Sequence, residues 1–219
     1  MPTWLAFDAG SPVTSAAVAR DGVLLSESAG ESRSGPPLLH HLDSALRAAG
    51  IQAADLDGIL ALSGPGSFTG IRVALATALG FRAALAVRVC ALSNLAALAL
   101  HAAPAGSNPA AGGRILALVD ALRDEWFVQE FAYGEPGLEA LGEARRRPAQ
   151  EIAPAGEARL AAHAAQSLPP QLAGLPLWRA SALAPAAAEA ASRGRLQRLI
   201  SEDLAATYLR GFTPRGAVT

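Results

Sequence analysis

Ser63-Gly64-Pro65-Gly66-Ser67-Phe68-Thr69-Gly70-Ile71-Arg72 carries the most distinctive chemistry of the chain, between a predicted strand at 58–63 and a predicted helix at 70–85. Glycines permit positive φ and close backbone approach, so successive N–H groups of such a loop can form an anion-binding nest. Ser67 or Thr69 can cap the helix that follows, whose positive end favours an anion. Gly66 and Ser67 are thus candidate anion contacts. The loop lacks the Gly-Lys-Ser/Thr ending of a Walker loop. Pro65 and Thr69 stand where a nucleophile elbow around Ser67 requires glycine. Arg72 lies in the first helical turn, where a cation opposes the helix dipole. It answers either a nearby anion or an internal carboxylate such as Asp8 or Asp120.

Those two aspartates end predicted strands, at Trp4–Asp8 and Arg114–Asp120, where open sheets place ligand groups. With Gly10 and Ser11 in the turn after the first, they are candidates to position a nucleotide-bound metal. The plain alternative is that each caps its own turn. The histidines offer no metal site: His40 and His41 are adjacent, so on a helix they point about 100° apart, and His101 and His163 are isolated. Arg145-Arg146-Arg147 reads as a solvated face, with a phosphate contact as the alternative.

The elements that must hold these groups are mostly legible. Two strands joined by Asp21-Gly22 follow the first aspartate, a hairpin signal. A helix with Leu38, Leu42, Ala45 and Ala49 on one stripe stops at Gly50. After a strand at 86–91, Ser93 caps a helix to about 103. The Pro-, Gly- and Asn-rich stretch 104–113 marks a boundary, giving lobes 1–108 and 109–219, the last residues returning to the first lobe. Both lobes open on a strand, an aspartate, a turn and a strand, which hints at duplication. Residues 143–180 are left unassigned, and Ser181–Arg193 is expected to be helical. Helix 71–85 carries only Arg72 and Arg82 as charges, so it needs cover on both sides. Either a helical partner or the helix at 93–103 supplies the second cover.

The chain has 219 residues, 51% apolar, with a formal net charge of -1. All 18 basic residues are arginine, which excludes a phosphate-loop lysine, a Schiff base and a Ser–Lys dyad. Cys90 is the only cysteine, so no internal disulfide or thiolate zinc site is possible. No signal peptide and no run of about 20 apolar residues is evident. A protein of the cytoplasm, with no membrane contact, is expected.

Gly64-Pro-Gly-Ser-Phe-Thr-Gly-Ile-Arg72, the opening Leu5-Ala-Phe-Asp8, Ser93-Asn94-Leu95, Asp120-Ala121 and Tyr208-Leu209-Arg210 together resemble the TsaB (YeaZ) family, related to TsaD. The resemblance implies an α/β fold of the actin-like, Hsp70-like ATPase (ASKHA) class, two lobes each with a β-sheet and helices. It implies a non-catalytic subunit in the formation of threonylcarbamoyladenosine beside the anticodon of tRNAs. The TsaD-like partner transfers the threonylcarbamoyl group, with a metal held by a histidine pair that this chain lacks. Contact with it is implied through helices at about 36–49 and 70–84, hence Leu39, His40, Asp43, Arg72, Leu75, Ala76 and Leu79. Alone, the chain is expected to form a homodimer through the same surface. A TsaE-like ATPase joins the complex, tRNA is met only indirectly, and ATP and metal belong to the partners, with no cofactor required here. Family members usually have His before the first helix, Arg two residues after the second aspartate and Tyr in the next strand; Ser34, Leu122 and Phe127 stand there. An ATP-dependent phosphotransferase of the same fold acting on a small molecule is the alternative. A peptidase ranks third, lacking a plausible Ser–His arrangement.

Overall fold

The computed structural model describes residues 1–32, 37–103, 113–134, 137–153, 156 and 158–206. Strands β1 (Thr3–Asp8), β2 (Val13–Arg20), β3 (Val23–Glu31), β4 (Gly58–Leu62) and β5 (Arg88–Leu92) form one sheet in the order β3-β2-β1-β4-β5. Strands β1 to β3 are antiparallel, while β4 and β5 run parallel to β1. Strands β6 (Gly113–Leu122), β7 (Glu125–Tyr133), β8 (Leu138–Ala140), β10 (Ala158–His163) and β11 (Leu177–Ala180) form the second, in the order β11-β10-β6-β7-β8. Strand β9 (Arg145–Pro148) also pairs with β7.

The two sheets share one plan. In each, the opening strand pairs antiparallel with the next, and two later strands extend its other side in parallel. Parallel strands require long crossovers, and α2 (Phe68–Ala84) makes that connection between β4 and β5. Alternation along β1 divides the core. Leu5 and Phe7 join Val18, Ile59 and the inner stripes of α1 (Leu38–Ala49) and α2 on one face. Trp4 and Ala6 face the other way, onto α3 (Asn94–Ala102) and α4 (Ala184–Ser192). Ile115, Ala117 and Phe131 of the second sheet belong to that same cluster, so α3 and α4 lie between the sheets. A thin layer suits their alanines: Ala97, Ala99, Ala187 and Ala188 are all 0% exposed.

Helix α4 packs against β1 and β2, and Ser201 bridges Ala91 at the β5 edge. Residues 104–112 and Tyr208-Leu209-Arg210 lie outside the described residues. The stretch left unassigned from sequence holds β9, β10 and β11. Strand β10, Ala-Arg-Leu-Ala-Ala-His, is buried at five of its six positions, so it lacks the polar alternation that marks a half-exposed strand. No helix among the described residues is long and apolar enough to cross a membrane.

Candidate functional site: the Asp8–Asn94 junction and the outer face of α1 and α2

Asp8 ends β1 with a carboxylate that is 0% exposed. Its Oδ1 accepts the Gly10 N–H at 2.8 Å and the Asn94 side-chain amide at 3.2 Å. The same amide donates to Ser11 Oγ at 3.0 Å. Asn94 Oδ1 accepts the Gly64 N–H at 2.7 Å, and the Asn94 backbone N–H donates to the Gly64 carbonyl at 2.7 Å. One side chain, at the first position of α3, thus ties together the end of β1, the turn after it and the glycine-rich loop. Sequence reasoning named Asn94 only as part of a motif. The signal available was a lone amide followed by six apolar residues, 95–100, behind the Ser93 cap, which accepts the Ala96 N–H at 3.0 Å.

The glycine-rich loop packs directly onto that turn. A Cβ on Gly66 would collide with the Gly10 carbonyl oxygen, and one on Gly70 with that of Ala9. The Ser67 N–H donates to the Gly10 carbonyl at 2.8 Å, and Ser67 Oγ caps α2 by accepting from Gly70. The N–H groups of Gly64, Ser67, Gly70 and Ile71 all have acceptors within the chain. Close backbone packing is what Gly66 and Gly70 permit here.

Asp8, Gly10, Ser11, Gly66 and Ser67 are brought together. Asp120 is arranged differently: its side chain is exposed and its Oδ1 accepts the Leu122 N–H at 2.7 Å. Each aspartate accepts from the residue two positions on, the turn-capping geometry of an Asx turn. The equivalence of the two lobe openings therefore extends to their hydrogen bonds.

Asp8 Oδ2 is buried with no hydrogen-bond partner among the described residues. Burial pushes the Asp8 carboxyl up, against the hydrogen bonds from Ser11, Gly10 and Asn94 that lower it. A carboxyl that holds its proton more tightly when folded contributes stability fully present below its ordinary value of 3.8. That stability is lost as pH rises through the folded value. Asp8→Asn keeps the acceptor for Gly10 and removes the buried charge. The new amide N–H takes the place of Oδ2, which has no partner among the described residues, so the readout is the pH dependence rather than the melting temperature at one pH. Asp8→Asn should flatten the loss of stability above the ordinary carboxyl range. An unchanged pH dependence of the melting temperature would show that Asp8 is not the group responsible.

The second feature lies on the outer side of the first sheet. Ile71, Ala74, Leu75 and Ala78 form the buried stripe of α2. Leu75, expected from sequence on a partner face, is only 7% exposed and faces the sheet. The opposite stripe is open: Phe68 is 54% exposed, Val73 44% and Leu79 45%, with Ala76 exposed between them. On α1, Leu39 is 66% exposed, and His40 and Asp43 are exposed as well. Asp43 pairs with Arg47 one turn on, at 2.8 Å. Helix α3 lies on the other side of the sheet, so it is not the cover for α2. Among the described residues no carboxylate pairs with Arg72; its guanidinium carbon lies 4.0 Å from the centroid of the exposed Phe68 ring.

With this geometry in hand, the comparisons are consistent. The YeaZ structure from Pseudomonas aeruginosa matches with a TM-score of 0.72 at 24% identity, over 95% of this chain and 100% of that one. A second structure, of an uncharacterized protein with similarity to peptidase YEAZ from Pseudomonas aeruginosa, matches with a TM-score of 0.73 at 24% identity, over 96% and 100%. At that identity the likeness is one of fold. No curated protein matches the chain. The family model described as TsaD, tRNA N6-adenosine threonylcarbamoyltransferase, matches residues 36–212. Because that match spans most of its length, from α1 past α4, this chain belongs to the TsaD family.

Proposed function

We propose that this chain is a non-catalytic subunit that binds and activates a TsaD-like transferase in the formation of threonylcarbamoyladenosine on tRNA. Family membership supports a part in tRNA modification. The observation that carries the subunit role is the open apolar stripe of α2, Phe68, Val73, Ala76 and Leu79, continued by Leu39 on α1. A helix whose inner stripe is fully used by its own sheet gains nothing from a second apolar stripe unless another surface covers it. The covering surface is the equivalent helical face of the transferase or, when the chain is alone, of a second copy. Arg72 and Phe68 stand at the N-terminal end of that face, and His40 and Asp43 supply polar contacts from α1. A TsaE-like ATPase completes the assembly, and nucleotide and metal are held by the partners.

The alternative, an ATP-dependent phosphotransferase, requires Asp8 to face a phosphate-bound metal. Its burial, and the packing of Gly66 against Gly10, favour the subunit reading. A reconstituted assay decides between them. Modification of tRNA by the TsaD-like transferase should depend on addition of this chain, and the chain alone should turn over no ATP. Robust ATP turnover by the isolated chain would overturn the reading.

A further inference from the structure

A cation held between two aromatic rings lies on the second sheet, away from the α1 and α2 face. Tyr133 on β7 sits opposite Gly113 on β6, and a Cβ at Gly113 would collide with its ring. The absent side chain lets the tyrosine lie across β6 toward β10. There the Arg159 guanidinium carbon is 5.4 Å from the Tyr133 ring centroid and 4.7 Å from that of Trp178 on the edge strand β11. Among the described residues no carboxylate forms an ion pair with Arg159. Trp178 is also the one accessible indole, 36% exposed against 7% for Trp4 and 5% for Trp126.

We infer that Tyr133, Arg159 and Trp178 form a contact site for single-stranded RNA, with Arg159 on a phosphate and an unstacked base on Trp178. Ring contacts restrict the long arginine side chain in advance, so little freedom is lost when its N–H donors meet a planar or tetrahedral anion. An aromatic face beside such a cation matches one nucleotide unit, a base with its phosphate. A carboxylate ligand would use the arginine and leave the indole idle. The net charge of -1 makes this a point contact within a larger assembly, not an electrostatic surface. It rests on the tRNA reading above and goes beyond it, because there tRNA meets this chain only through its partners.

The test uses a fluorescein-labelled 12-residue oligouridylate, with inorganic phosphate as the small-anion control. The oligomer should quench Trp178 emission saturably, and raising salt should weaken it with a slope of about one phosphate. Trp178→Ala and Arg159→Ala should each weaken binding about tenfold by anisotropy, and Arg159→Ala should remove the salt slope. Arg159→Lys, which keeps the charge, should keep the slope and lose part of the affinity. Unchanged affinity in Trp178→Ala, or equal quenching by inorganic phosphate at matched phosphate concentration, would overturn the inference. Association of the same variants with the TsaD-like transferase is expected to be unchanged. A failure of this site therefore stays distinct from a failure of the subunit reading.

Discussion

Leu79→Glu is expected to abolish association through α2 while leaving the monomer folded. Leu79 is 45% exposed on the outer stripe, so the substitution removes little internal packing, and surface changes of this kind stay within about 0.5 kcal/mol of neutral. At a docked helical face the same carboxylate would be buried without a partner, which costs about 3–5 kcal/mol. That is a factor of roughly 10²–10⁴ in affinity. Ala76→Arg, one turn earlier, should do the same by bulk and charge together. Leu75→Ala gives the opposite pattern. Leu75 is 7% exposed against the sheet, and losing it should cost about 2–5 kcal/mol of stability. Thermal melts with light scattering on the three variants separate these outcomes. A Leu79→Glu chain that associates as the parent does would show that this stripe is not the contact.

Gly70→Ala should destabilise the protein sharply, although helix propensity argues the reverse. Gly70 lies within α2, where alanine is favoured over glycine by about 0.8–1.0 kcal/mol. Against that stands a backbone contact: the new Cβ would meet the Ala9 carbonyl oxygen, which no side-chain rotation can clear. Overpacking costs about 1–3 kcal/mol even where side chains can yield, and here either the turn after β1 or the start of α2 must move. The clash outweighs the propensity gain. Because the Ser67 N–H at the α2 cap also donates to the Gly10 carbonyl of that turn, the disturbance should reach the N-terminal end of the α2 face as well. Gly80→Ala supplies the control, since nothing lies within 4 Å of a Cβ there and the propensity gain should appear alone. A Gly70→Ala variant as stable as Gly80→Ala would contradict the loop packing described here.

Much of this architecture was legible because local signals agreed. Gly50 stops α1 in the left-handed conformation, with φ of 67°, and Ser93 caps α3 through its side chain. The paired lobe openings at Asp8 and Asp120 proved to share their turn hydrogen bonds. Helix α2 begins at Phe68, two residues before the expected start, because Ser67 caps it. What escaped the sequence was long-range. Strand β10 reads as a run of small residues until β6 and β11 flank it. The packing role of Gly66 and Gly70 is not legible from sequence, because a glycine that admits a ligand and one that admits a neighbouring carbonyl have the same identity. Leu75 and Leu79 are four residues apart on an almost uniformly apolar helix, so pattern alone did not tell inner from outer. Asn94 became visible as a junction only once β1, the loop and α3 were in place.

If the proposed function holds, the outer face of α1 and α2 is a shared docking surface for a TsaD-like transferase and for a second copy of this chain. Size-exclusion chromatography with light scattering, on the chain alone and mixed with the TsaD-like protein of the same organism, measures this directly. The expected result is a homodimer that exchanges into a one-to-one heterodimer, with Leu79→Glu monomeric in both samples. A chain that stays monomeric and does not associate with the transferase at micromolar concentration would contradict it.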